Sequence, residues 1–92
     1  MSRDEDRLED MVRFGAEAEA FLKSDIGRYL LDRSQEQVDA ALHELSCVDP
    51  CNSRDIRRLQ NVIQRNRDVE AWLGEIVQAG WEARNLLAGE DI

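Results

Sequence analysis

The stretch SRDIRRLQNVIQRNRDVEAWLGEIVQAGWEARNLLA, residues 53–88, decides the fold. It contains no proline, opens on a capping serine, and carries Ile56, Leu59, Ile63, Asn66, Leu73, Ile76 or Val77, Gly80 and Leu87 at the spacing of one helix face. That spacing predicts a single long helix, roughly 50 Å at about 1.5 Å per residue. An isolated helix holds together weakly in water, so the apolar seam must be covered by the preceding chain or by another molecule.

Immediately upstream, Asp49-Pro50-Cys51-Asn52 is the one clear loop. A residue before proline is pushed out of the helical region, and Asn52 or Ser53 offers a side-chain oxygen to the free amides of the helix that follows. A connection this short makes the two flanking helices antiparallel neighbours. Folding about Pro50 sets Leu45 against Ile56, Val38 against Ile63, and Leu31 near Val69 and Glu70. Ser34 then falls opposite Asn66 or Arg67, a polar break at one level of both seams that can fix the register as a seam asparagine does in coiled coils. Glu36 faces Arg65, and Glu44 faces Arg57 and Arg58. Such flank charges contribute about 0 to 1 kcal/mol per pair, so they choose the register more than they stabilise it.

Before the turn, the seam Leu31, Ser34, Val38, Ala41, Leu45 and Val48 predicts a helix over 25–48. Residues 4–22 form another amphipathic segment, with Leu8, Met11, Gly15, Ala18 and Leu22 on one face. Asp4, Glu5, Asp6, Glu9 and Asp10 crowd its first turns, where carboxylates meet the positive end of the helix dipole; Gly15 weakens it. The two seams are out of register, and Ser24 is a good N-cap with Asp25 behind it. A helix start or kink is expected there, with a continuous helix and a seam slip as the competing reading. Gly89 to Ile92 reads as a loose tail.

The 92 residues suffice for one domain with a thin core. Charged residues make up 35% and aromatics 5%, with one proline, a mixture that favours helices. The net charge of −8 argues against binding a nucleic-acid backbone or an anionic membrane, because both require cations against phosphate. Residues 1–19 hold three basic and seven acidic groups and residues 71–92 one and four, whereas 49–70 hold five and four, so acid collects away from the turn. No apolar run is long enough for a transmembrane helix, and Met1 to Asp10 is too acidic for a signal or transit peptide. A cytoplasmic protein with reduced Cys47 and Cys51 is expected.

Little here supports chemistry. His43 and Cys47 share a helix face with Cys51 just beyond and Asp49 as the only fourth donor, which falls short of a structural zinc set; no metal or cofactor is expected. Cys47 and Cys51 read as free thiols, a bridge between them being conceivable only in an oxidising setting. The acidic side chains lie on open helical faces, with no glycine-rich phosphate loop and one histidine, so no enzyme is expected. Trp72 and Trp81 each lie roughly 100° from the centre of the seam on opposite flanks, and one partner helix cannot cover both. Either a returning first helix covers one of them, or they are contact residues for a protein partner or a second copy; Tyr29, Phe14 and Phe21, which sit off the Leu31 to Val48 seam, are candidate contacts in the same way unless they pack on the first helix.

The run Phe21-Leu22-Lys23-Ser24-Asp25-Ile26-Gly27-Arg28-Tyr29-Leu30, then Asp49-Pro50, Leu59-Gln60-Asn61 and Ala71-Trp72-Leu73 ahead of Gly80, resembles a group of short all-helical proteins encoded by tailed bacteriophages and prophages. The likeness spans roughly residues 14 to 88, and Cys47 and Cys51 stand outside it. It implies a phage or prophage setting and the cytoplasm of a bacterial host, or association with the virion, but no activity. The expected fold is all-α: a long antiparallel helical hairpin, coiled-coil-like, with an additional N-terminal helix over 4–22, completed by oligomerisation. The expected function is a non-catalytic interaction protein, self-associating and binding a protein partner in assembly or host interaction. The alternative is an acidic mimic of nucleic acid that inhibits a host nucleic-acid-binding protein, such as a CRISPR surveillance complex or a polymerase.

Overall fold

The structure, a computed structural model, describes residues 2–89. Glu90, Asp91 and Ile92 of the expected tail lie outside the described residues. The chain forms three helices, α1 (Arg3–Lys23), α2 (Asp25–Cys47) and α3 (Ser53–Ala88), and is all-helical among the described residues.

Each boundary has a local cause. Ser2 Oγ accepts from the Glu5 amide at 3.1 Å and starts α1, whose first turn carries Asp4, Glu5 and Asp6. Ser24 both ends α1 and starts α2. Its extended backbone, φ −74° and ψ 159°, breaks the helix, so the chain is not one continuous helix with a slipped seam. Its amide donates to the Phe21 carbonyl at 3.1 Å, and its hydroxyl donates to the same oxygen at 2.6 Å while accepting from the Gly27 amide at 3.0 Å. The turn is so tight that a Cβ at position 27 would run into the Phe21 carbonyl oxygen, which is why glycine stands there. At the Pro50 bend, Asp49 Oδ1 accepts from the Cys51 amide at 2.9 Å, an Asx turn. Asn52 then caps α3 reciprocally: its Oδ1 takes the Asp55 amide at 3.1 Å and its Nδ2 donates to the Asp55 carboxylate at 2.9 Å. Gly89, at φ 71°, closes α3 in the left-handed conformation with its amide bonded to the Asn85 and Leu86 carbonyls.

Two helices cover α3. Along its first half lies α2, in the opposite direction: Ser34 Oγ donates to Asn66 Oδ1 at 2.8 Å, while further along Arg58 meets Glu44 at 3.3 Å. Between these levels Val38, Ala41, Leu59 and Ile63 form the buried cluster, with Leu45 and Val62 packed against it. Asn66 also donates to the Val62 carbonyl at 2.8 Å and to Gln37 at 3.3 Å, so the polar break in the seam is fully partnered. Glu36 and Arg65 do not meet. Each finds a nearer partner on its own helix, Glu36 with Arg33 at 3.8 Å and Arg65 with the Asn61 carbonyl at 3.4 Å.

Along the second half of α3 lies α1. Here backbones touch. A Cβ at Gly15 would stand 2.8 Å from Gly80 Cα, and one at Gly80 would stand 2.9 Å from Gly15 Cα and 3.0 Å from the Met11 carbonyl oxygen. Gly15 and Ala18 are buried against Val77, Gly80 and Ala83. The stretch from Gly15 to Lys23 covers about 12 Å. That carries the chain down α3 from Gly80 to where α2 begins, so α1 also runs against the direction of α3.

Two outcomes follow. Ile63 is 8% exposed inside the cluster, so Ile63→Asp should cost about 3 to 5 kcal/mol in chemical denaturation, whereas Arg58→Ala, on the open flank, should stay within about 0.5 kcal/mol. Gly80→Val puts atoms where the Gly15 backbone lies. Hydrogen exchange should then show amides of α1 losing protection while those around Val38 and Ile63 keep theirs.

Candidate interaction surface

What α3 leaves uncovered is more informative than what it buries. The side chains of Phe14, Tyr29, Trp72 and Trp81 are all exposed, at 51%, 61%, 58% and 46%, and Phe21 is half-buried. Helical geometry sorts them. Trp72 and Trp81 are about two and a half turns apart, hence on opposite sides of α3. Phe14, by contrast, joins a groove with Met11 of α1 and Ile76 and Ala79 of α3, about 200 Å³ and lined almost wholly by apolar atoms. Trp72 precedes Ile76 by one turn, and Val69 precedes Trp72 by nearly one, so both extend the same flank. Tyr29 stands apart on α2, with Ile26 and Leu30 exposed beside it. The structure therefore brings Phe14 and Trp72 to one side and places Trp81 on the other.

Two features of this surface escaped the sequence reading. The seam spacing admits either Ile76 or Val77; Val77 is buried and Ile76 is 40% exposed, lining the Phe14 groove. The signal was present, since Val69, Trp72, Ile76, Ala79 and Leu86 follow the spacing of a second stripe. The other feature is a wide groove of about 680 Å³ over the first turns of α3, lined by Ser53, Arg54, Arg57, Arg58, Asn61 and Arg65 among others. Of these arginines, Arg58 alone forms an ion pair among the described residues, with Glu44 and with Asp55 at 3.8 Å.

Acidic groups lie among basic ones rather than forming an unbroken stripe. Asp10 pairs with Arg13 at 3.2 Å and Glu19 with Lys23 at 3.3 Å, and the Arg13 guanidinium lies 5.1 Å from the centre of the Phe14 ring. Cys47 and Cys51 are free and exposed at the turn, with Cys47 Sγ 3.5 Å from Ser46 Oγ. Among the described residues no group of three or more His, Cys, Asp or Glu side chains is arranged to hold a metal ion. No helix among them is long and apolar enough to cross a membrane. Comparison with protein-family models, curated proteins and solved structures gave no match.

Proposed function

We propose that this chain is a non-catalytic interaction protein: a long antiparallel helical hairpin, coiled-coil-like, with α1 laid along the far half of α3, which self-associates and binds a protein partner. The observation that carries this reading is the apolar flank running from Phe14 and Ile76 to Trp72 and Val69. Large side chains left half-exposed in a row, rather than singly, are the usual mark of a contact surface. The resemblance to short phage and prophage proteins adds the setting: the cytoplasm of a bacterial host or the virion, in assembly or host interaction.

The alternative, an acidic mimic of nucleic acid aimed at a CRISPR surveillance complex or a polymerase, has the net charge of −8 in its favour. It gains little else. Phosphate mimicry needs an unbroken negative stripe, and Arg13 and Lys23 each neutralise an acid on α1 while the start of α3 is arginine-rich.

Affinity capture from a bacterial host lysate separates the two. The interaction reading expects a partner retained at high salt and lost with Phe14→Ala/Trp72→Ala, because apolar contact survives screening. A nucleic-acid-binding partner that salt releases, and that these substitutions leave bound, would transfer the case to mimicry.

A further inference from the structure

The arginine groove and the apolar flank belong to one continuous face. Arg54 and Trp72, Arg58 and Ile76, and Asn61 and Ala79 are each separated by about five whole turns of α3, so each pair points the same way. This face is therefore basic over the first half of the helix and apolar over the second. Acids border the apolar half on both sides. Glu75 and Glu82 run along the edge of α3 in line with Arg57 and Gln64; Glu17 flanks Phe14 one turn away on α1, and Asp10 flanks it on the other side while also paired with Arg13. A face that is basic at one end and bordered by acid at the other is complementary to itself when turned end for end.

The surface area points to the same need. The chain exposes 7168 Å², whereas a compact chain of its 10.6 kDa would expose about 5,500 Å². Its radius of gyration is 18.6 Å, against about 12 Å for a compact domain of this length. The excess exceeds the roughly 800 Å² per partner that a standard protein interface buries.

From this geometry we infer that the occupant of the face is a second copy of the chain, bound antiparallel about a two-fold axis near Val69 and Trp72. This rests on the interaction reading above and names its partner. The axis brings Arg57 of one copy to Glu82 of the other, and Gln64 to Glu75. Arg54, Arg58 and Arg65, on the face itself, come over the other copy's apolar half, with Arg58 and Arg65 on the side nearer its α1, level with Asp10 and Glu17. Arg7, on the same flank of α1, falls beyond the arginines, level with the Asp49 turn. Val69, Trp72 and Ile76 close over the centre, and two-fold symmetry makes every contact occur twice. The charges set the alignment and the apolar centre supplies the adhesion.

The test is a pair of charge-reversed chains, one carrying Arg57→Glu/Arg65→Glu and the other Glu17→Arg/Glu82→Arg. All four positions are exposed, and far-ultraviolet circular dichroism confirms that each variant folds. In light scattering over a concentration series, the native chain should approach twice the 10.6 kDa of the single chain. Each variant alone should remain a monomer, because it repels itself. The two mixed in equal amounts should again double in mass, because both edges of the mixed pair are complementary. A native chain monomeric throughout, variants that still dimerise alone, or a mixture that stays monomeric would each overturn the inference. If capture of a protein partner still depends on Phe14 and Trp72 in that event, the partner-binding part of the interaction reading stands and its self-association falls.

Discussion

The 36-residue helix α3 carries an apolar seam that the rest of the chain must cover, and that constraint shapes the whole molecule. The preceding residues meet it in two pieces. α2 covers the first half of α3 with branched side chains, and α1 covers the second half by bringing glycine against glycine. The two modes differ in kind. Around Val38 and Ile63 the helices are held apart by side chains whose burial supplies the stabilisation, about 25 cal/mol per Å² removed from water. At Gly15 and Gly80 nothing separates them, so close backbone approach and the small neighbours Ala18 and Ala83 take that part.

Dividing the cover requires the break at Ser24, and the break in turn decides what is left bare. The restart shifts the register of the chain against α3, so the face that α1 buries is rotated from the face that α2 buries. Large residues that neither cover reaches, notably Trp72 and Ile76, are exposed as a consequence. The exposed apolar flank is in this sense a by-product of the joint. A single continuous helix could not have turned its seam to follow α3 in the same way.

The parts of the structure that rest on local chemistry were readable in the sequence. Asp49-Pro50, Asn52 and Ser24 mark boundaries through capping and backbone restriction, both of which act within a few residues, whereas Ser53, read as the opening cap, is the first helical residue behind the Asn52 cap. The meeting of Ser34 with Asn66 was readable because a short turn leaves the register little freedom. Gly15 was not. A glycine within a helix reads first as a loss of helix propensity, and only its partner across the interface, far away in sequence, reveals it as a contact. Glu36 and Arg65 failed for a related reason, since exposed long side chains take the nearest partner and local ones were closer. For the surface, the opposition of Trp72 and Trp81 follows from their spacing alone, whereas the groove that joins Phe14 to Ile76 depends on where α1 docks.

That docking of α1 against the far half of α3 is the central claim, and distance measurement between spin labels tests it most directly. In a chain with Cys47→Ser and Cys51→Ser, labels at Glu5→Cys and Asn85→Cys should lie close together, while labels at Glu5→Cys and Arg54→Cys should be about 45 Å apart, nearly the length of α3. With labelled chain diluted into a large excess of unlabelled chain, so that only distances within one copy are read, a short distance from position 5 to position 54, or a broad spread from 5 to 85, would mean that α1 lies elsewhere and that α3 is covered differently.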